Sequence, residues 1–98
     1  MNYGEVKASI LARSHRTDLT ARIPEFVALA EAEYNRRTDS AYTITEGADA
    51  VENWLTVNAP DVYIFGGLMQ LSIETDDDVA LTKYAQLFAR AMDQAQYA

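Results

Sequence analysis

The side chains of this chain with the most potential for chemistry are a single histidine and a run of carboxylates. His15 lies in the sequence RSHRT, and the chain has no cysteine and no second histidine that could complete a metal site with it. Positively charged neighbours disfavour both protonation of an imidazole and binding of a metal ion. We therefore expect His15 to be an exposed polar residue.

The carboxylates are densest in the sequence ETDDD, which ends at Asp78. Calcium prefers oxygen ligands, but this run lacks the alternating spacing, the central glycine and the final glutamate of an EF-hand loop. Thr75 and Asp78 are instead spaced as a capping box, and acidic residues are favoured where a helix starts. We therefore predict a helix start here, with no metal ion or other cofactor.

Sequence motifs for catalysis or DNA reading give little support to either activity. No G-x-S-x-G, P-loop or G-x-G-x-x-G motif occurs. A helix-turn-helix at residues 17–37 is disfavoured, because its second helix would carry Glu25, Glu31 and Glu33 where a DNA-binding helix needs groove contacts. We predict that the protein is not an enzyme and does not read DNA sequence.

Charge is distributed unevenly along the chain, which has a net charge of −7 and a pI near 4.4. The first 40 residues balance six basic against six acidic residues, whereas the remainder has nine acidic residues and only Lys83 and Arg90. An acidic surface repels the phosphate backbone of nucleic acids. Such asymmetry is typical of a solvated face, and alternatively of a surface that steers or repels partners.

Composition and length predict one folded domain over residues 1–98, because 49% of the residues are hydrophobic. A domain this small buries a limited share of its surface, so we expect neighbouring copies to add stability. The apolar run from Val62 to Ile73 is shorter than the roughly 20 residues that span a bilayer. The N-terminus lacks the apolar core of a secretion signal. We therefore expect no membrane association and a cytosolic location.

Apolar residues recur at intervals of three and four, which predicts an all-α fold. We expect a small bundle of four to five helices with a central apolar helix and a short loop or hairpin in the middle. Asn2 is the expected cap of the first helix. The predicted helices cover residues 3–14, 19–37, 48–57 and 60–73, with a last one from the acidic run onward. Within the second, Pro24 fits either the first turn of a helix or a kink between a short turn and a long helix.

Two adjacent glycines, Gly66 and Gly67, lie inside the predicted central helix. Each costs about 1 kcal/mol relative to alanine in a helix interior. Their missing side chains therefore predict close packing against the second helix, whose small residues are Ala28, Ala30 and Ala32. A functional hinge is the alternative.

Two ordered stretches resemble the adaptor, or head-to-tail connector, proteins of tailed bacteriophages: DLTARIPEFVALAEAEYNRR (residues 18–37) and NAPDVYIFGGLMQLS (residues 58–72). In that family a similar IP-x-F-x-x-LAEA stretch forms one long helix, and a similar P-D-x-Y-x-x-G-x-L stretch forms the central helix. The acidic turn and KYAQLFARAMDQAQ extend the resemblance towards the C-terminus. Family members often have a larger strand-containing region after the second helix, so this chain resembles a compact version.

The resemblance implies a structural virion protein. A ring of twelve copies would dock below the portal protein, extend the DNA channel and connect the head to tail or nozzle proteins. DNA would pass through without specific binding, as the acidic charge also predicts. The implied location is the virion neck at the head-tail interface, and the host cytoplasm during assembly.

A ring of identical copies needs two different surfaces on each copy, and opposite charges are candidates for them. We expect basic residues of the second helix to face acids of the next copy, and the C-terminus to contact the portal, with a frayed end as the alternative. The candidate interface residues are Arg22, Arg36, Arg37, Asp76, Asp77, Asp78, Gln94, Gln96 and Tyr97.

A small acidic helical regulator, or a DNA mimic that binds a host protein, is the alternative explanation of the charge. A mimic needs carboxylates spaced over one face as phosphates are. Their distribution therefore distinguishes the two hypotheses.

Overall fold

A computed structural model describes residues 1–96, which form five α-helices and two short 3-10 turns, with no strand in that range. The all-α bundle predicted from the sequence is therefore confirmed. The middle of the chain is a loop with one 3-10 turn, and not a hairpin. The helices are α1 (Tyr3–Ser14), α2 (Ile23–Thr38), α3 (Trp54–Asn58), α4 (Pro60–Glu74) and α5 (Asp78–Gln96), and the 3-10 turns are Thr20–Arg22 and Ile44–Glu46.

Helix α1 begins and ends where its local sequence predicts. The Oδ1 atom of Asn2 accepts a hydrogen bond from the backbone N of Glu5 at 2.8 Å, and the Glu5 side chain accepts one from the backbone N of Asn2 at 3.0 Å. This reciprocal pair satisfies two free donors at the helix start. The helix ends at His15, which is exposed and adopts a left-handed conformation with φ of 55°.

The second predicted stretch divides into a short turn and a long helix, which is one of the two alternatives left open by Pro24, and α2 starts at Ile23. Leu19 precedes a separate 3-10 turn, and Pro24 lies in the first turn of the α-helix, where its missing N–H is not needed. The three alanines do not form one face, because Ala30 is buried, Ala28 is half-buried and Ala32 is exposed. The predicted small face of this helix is therefore reduced to Ala30.

Helix α3 is only five residues long, so the prediction of a helix from residue 48 is wrong. Residues 48–53 are instead held by the start of α1, whose first N–H groups have no partner within their own helix. The backbone N atoms of Tyr3 and Gly4 donate to the carbonyls of Val51 and Asp49, both at 2.9 Å. The segment itself closes one tight turn, in which the Val51 N–H donates to the Ala48 carbonyl at 3.1 Å, and it contains no α-helical turn.

Helix α4 is the central helix, as predicted, and most of its residues are buried. A Cβ atom at Gly66 would lie 2.5 Å from the Ala30 Cβ and 2.8 Å from the Phe88 ring, whereas one at Gly67 would lie 2.6 Å from the Ile10 Cδ1. Close packing against α2 is therefore confirmed for Gly66, which also lies against α5. Gly67 makes room for α1, and not for the alanines of α2.

Helix α5 begins at Asp78, but the predicted Thr75–Asp78 capping box is wrong. The Thr75 Oγ1 donates to the Leu71 carbonyl at 3.0 Å, because α4 continues to the residue before it. The cap is Asp77, whose Oδ1 accepts the backbone N–H of Ala80 at 3.1 Å. Asp76 has φ of 54°, and this left-handed residue reverses the chain between α4 and α5.

The core forms where α1, α2 and α5 pack around α4. Cross-helix contacts show that α2 and α4 are antiparallel: Arg22 at the start of α2 pairs with Glu74 at the end of α4, while Glu31 further along α2 bonds Tyr63 near the start of α4. Within residues 1–96, no helix is both long and apolar enough to cross a membrane.

Candidate subunit interface

The three arginines predicted to bind a neighbouring copy make ion pairs within their own chain. Arg22 pairs with Glu74 and, through its Nε at 3.0 Å, with Glu25. Arg37 pairs with Asp93. Basic residues of the first half thus do pair with acids of the second half, but these contacts join the start and end of α2 to α4 and α5 of one molecule. Exposed pairs of this kind contribute about 0 to 1 kcal/mol each.

Arg36 is the most available of the three arginines. Its side chain is 72% exposed, and its one ion-pair partner within residues 1–96 is Glu33, one turn earlier on the same helix. A pair at this spacing stabilises a helix by about 0.2 to 0.5 kcal/mol. An acid on another molecule can therefore compete for Arg36 at small cost.

The predicted acidic surface lies at the turn between α4 and α5. Asp76, Asp77 and Asp78 are all exposed, and none of the ion pairs found within residues 1–96 includes them. Asp77 and Asp78 also sit at the α5 start, where negative charge is favoured. The structure does not bring these acids onto the three arginines, so their role at an interface stays a prediction.

The C-terminal candidates lie at the end of α5. Gln94 and Gln96 are exposed there, and Tyr97 lies outside the described residues. Ala91 and Ala95 are buried on the opposite side of this turn. The two glutamines therefore point away from the core.

A buried polar network is the feature that sequence reasoning missed. Glu31 is only 5% exposed, and its Oε2 accepts the Tyr63 hydroxyl at 2.5 Å and the backbone N–H of Ile44 at 2.9 Å. The Nδ2 of Asn53 in turn donates to the Tyr63 hydroxyl oxygen at 2.9 Å. The network thus ties the middle loop and the start of α3 to α2 and α4. Its signal in the sequence was the position of Glu31 within the apolar stripe, four residues after Val27.

The electrostatics of this network favour a structural role. Burial, and then the bond to Glu31, raise the pKa of Tyr63 far above its usual range. The phenol therefore stays neutral and donates a hydrogen bond to the Glu31 side chain. Tyr63 is 0% exposed, so a substrate does not reach the pair.

Several apolar side chains of residues 1–96 are open to solvent, and two sets of them lie on different elements. The first, here named the Trp54 strip, consists of Val51, Trp54 and Val57, which are 40%, 40% and 57% exposed. The second, the α2–α5 groove, is a cleft of about 370 Å³ between these two helices. Met69 and Gln70 of α4 also line it. Large exposed apolar patches mark interaction sites more often than single exposed residues do.

Metal-binding groups do not cluster in the described part of the chain. No set of three or more His, Asp or Glu side chains within residues 1–96 is placed to hold a metal ion.

No protein-family model, curated protein or solved structure matches this chain.

Proposed function

We propose that this protein is a structural adaptor of tailed-bacteriophage virions. Twelve copies form a ring that docks below the portal protein, extends the DNA channel and connects the head to tail or nozzle proteins. The observation that carries the proposal is the packing of the two stretches that resemble the adaptor family. They form the long helix α2 and the central helix α4, which lie against each other through Gly66 and Ala30.

The exposed apolar surfaces further support an assembly role. A chain of this size with an open Trp54 strip and an open α2–α5 groove has apolar area that neighbouring copies can cover. Binding to the native state adds stability that the small core alone does not supply.

The charge of the chain suits a channel for DNA. The surplus of acidic residues offers phosphates few cations to bind, so DNA can slide past without being held. The case for a DNA mimic is weaker, because many of these acidic residues form ion pairs or a helix cap within the chain. Asp49 pairs with Lys7, Asp93 pairs with Arg37 and Glu74 pairs with Arg22, while Asp77 caps α5.

The proposal is tested with the portal protein encoded in the same genome as this chain. The two proteins are purified separately and mixed, and the mass of the complex is measured by light scattering and its symmetry by electron microscopy. We expect a ring of this chain on one face of the portal. A matched virion test deletes the gene and should yield DNA-filled heads without tails.

Two outcomes would overturn the proposal. One is a chain that neither binds the portal nor appears in purified virions. The other is tight binding to a host DNA-binding protein that double-stranded DNA competes away, which would establish the regulator instead.

A further inference from the structure

We propose that the Trp54 strip of one copy docks into the α2–α5 groove of the next copy, so that each subunit contributes both halves of a repeating head-to-tail contact. This inference rests on the proposed function, because a ring needs such a contact, and it names the surfaces that make it. The occupant of the groove is therefore a second copy of this chain.

The strip is presented by a rigid element. Helix α3 turns Leu55 and Thr56 into the core, where both are fully buried, and leaves Trp54 and Val57 outside. The cap residue Asn53 fixes the start of the helix, because its side chain accepts the Thr56 N–H at 2.9 Å and donates to the buried Tyr63 hydroxyl. A surface held in its bound shape loses little entropy on association. Tryptophan is also enriched at the centres of interfaces.

The groove has the size and lining to receive an aromatic side chain. Small residues line it: Ala32 of α2, and Ala85 and Ala89 of α5. The Phe88 and Met69 side chains provide apolar contact inside. Methionine adapts its shape to an incoming group and makes favourable contacts with aromatic rings. A cleft of about 370 Å³ is large enough for an indole ring.

One pair of opposite charges flanks the two surfaces, and it favours a second copy as the occupant. Of the acids in the loop before the strip, Asp49 and Glu52 already form ion pairs within the chain, whereas Glu46 is in none of the ion pairs found within residues 1–96. The groove is edged by Arg36, whose side chain is 72% exposed, and by its ion-pair partner Glu33. Glu46 beside the docked strip can compete for this arginine, because an ion pair between residues one turn apart on a helix is weak. Complementary charge sets the orientation of a contact more than its strength.

The two surfaces lie on different elements, so one copy can use both at once. The groove is lined by α2, α4 and α5, and the strip belongs to α3 and the residue Val51 before it. A contact between unlike surfaces repeats from copy to copy and closes into a ring when the rotation allows. A symmetric dimer would instead use the same surface twice.

Trp54 is the only tryptophan of the chain, so its fluorescence reports directly on the strip. Emission and mass are measured for the chain alone over a wide concentration range, and again with the portal protein. We expect a blue shift of the emission when the chain assembles. Val57→Asp in the strip and Ala32→Glu in the groove should each weaken association at least tenfold. Both positions are exposed, and circular dichroism checks that each variant is folded.

Mixing the two variants gives the sharpest result. Each variant keeps one intact surface, so a mixture should form a one-to-one complex although neither variant assembles alone. The matched control is Val79→Asp, which alters an 83% exposed valine away from both surfaces and should assemble as the wild type does.

The outcomes separate this inference from the proposed function. A ring that forms on the portal with Trp54 still emitting as an exposed side chain, and with Val57→Asp assembling normally, overturns the inference alone. A mixture of the two variants that stays monomeric when the wild type assembles also overturns it. A wild-type chain that forms no assembly, alone or with the portal, overturns both the inference and the proposed function. If Trp54 becomes buried in a one-to-one complex with the portal, the partner of the strip is the portal and not a second copy, which overturns the inference.

Discussion

Glu31 holds two segments of the chain together through one oxygen atom. Its Oε2 accepts both the Tyr63 hydroxyl and the Ile44 N–H, so the carboxylate serves as a shared acceptor in a site with little solvent. A buried donor that loses its acceptor is destabilising by about 1 to 3 kcal/mol. The residue is therefore important for the position of the middle loop.

We predict that Glu31→Leu lowers the free energy of unfolding by about 2 to 4 kcal/mol, because two buried donors lose their acceptor. Glu31→Gln is the matched control, since an amide oxygen can replace Oε2 and accept both bonds, and it should lower stability by less than about 1 kcal/mol. Urea denaturation measures both. If the two variants are equally destabilised, the negative charge and not the shared acceptor is what matters.

The raised pKa of Tyr63 predicts how the free energy of unfolding depends on pH. Its pKa is raised in the folded state by burial and by Glu31, so the unfolded chain releases the phenolic proton first as pH rises above about 10. The contribution of Tyr63 to the free energy of unfolding is fully present below that pH. It falls at higher pH, by up to about 1.4 kcal/mol for each pH unit. Urea unfolding at pH 8, 10 and 11 measures the slope.

Tyr63→Phe is the comparison that isolates this residue from the other tyrosines and the lysines. The variant should be less stable than the wild type at pH 8, because Glu31 loses a donor, and its stability should fall less steeply above pH 10. Parallel slopes for the two proteins would contradict the assignment.

At the scale of elements, the absence of a side chain at Gly66 lets α2 and α5 pack closely against the central helix. The Cβ of Ala30 is fixed to the backbone of α2, and the Phe88 ring fills the other side, so neither neighbour can yield easily. Gly67 faces the far end of the Ile10 side chain, which can rotate away. The two glycines therefore differ in how much they are needed.

We predict that Gly66→Ala destabilises the fold by about 1 to 3 kcal/mol through overpacking, although alanine is the better helix former. Gly67→Ala is the matched control with the same gain in helix propensity, and it should be clearly less destabilising. Thermal and urea unfolding compare the two. Gly66→Ala with unchanged or higher stability would show that α2 and α5 can move apart without loss.

At the scale of the whole molecule, a small core coexists with two open apolar surfaces. Association of native subunits shifts the unfolding equilibrium by mass action, by about 2.7 kcal/mol at a concentration one hundred times the dissociation constant. For a domain of this length that corresponds to a rise in melting temperature of about 10 °C or more.

We therefore predict that the melting temperature rises with protein concentration, or on addition of portal if assembly requires it. Val57→Asp should abolish the rise while leaving the melting temperature of the dilute chain almost unchanged, because the side chain is 57% exposed. Scanning calorimetry at several concentrations measures this. A melting temperature that is independent of concentration and of portal would mean that the chain functions as a monomer.

The sequence by itself determined four of the five helices, all but α3, and several of their ends. The cap at Asn2, the proline in the first turn of α2 and the apolar periods of α2 and α4 act between residues at most four positions apart, so they are visible without a fold. The apolar character around the whole of α4 also predicted its central place correctly.

Only the tertiary structure decided which distant groups become partners. The carbonyls of residues 49 and 51 accept the free N–H groups of α1, Glu31 becomes buried beneath Tyr63, and Arg37 finds Asp93 in its own chain. These contacts join residues that are 32 to 56 positions apart in the case of the side-chain pairs. Their formation depends on how the helices pack, because a hydrogen bond or ion pair requires a distance that local spacing does not set.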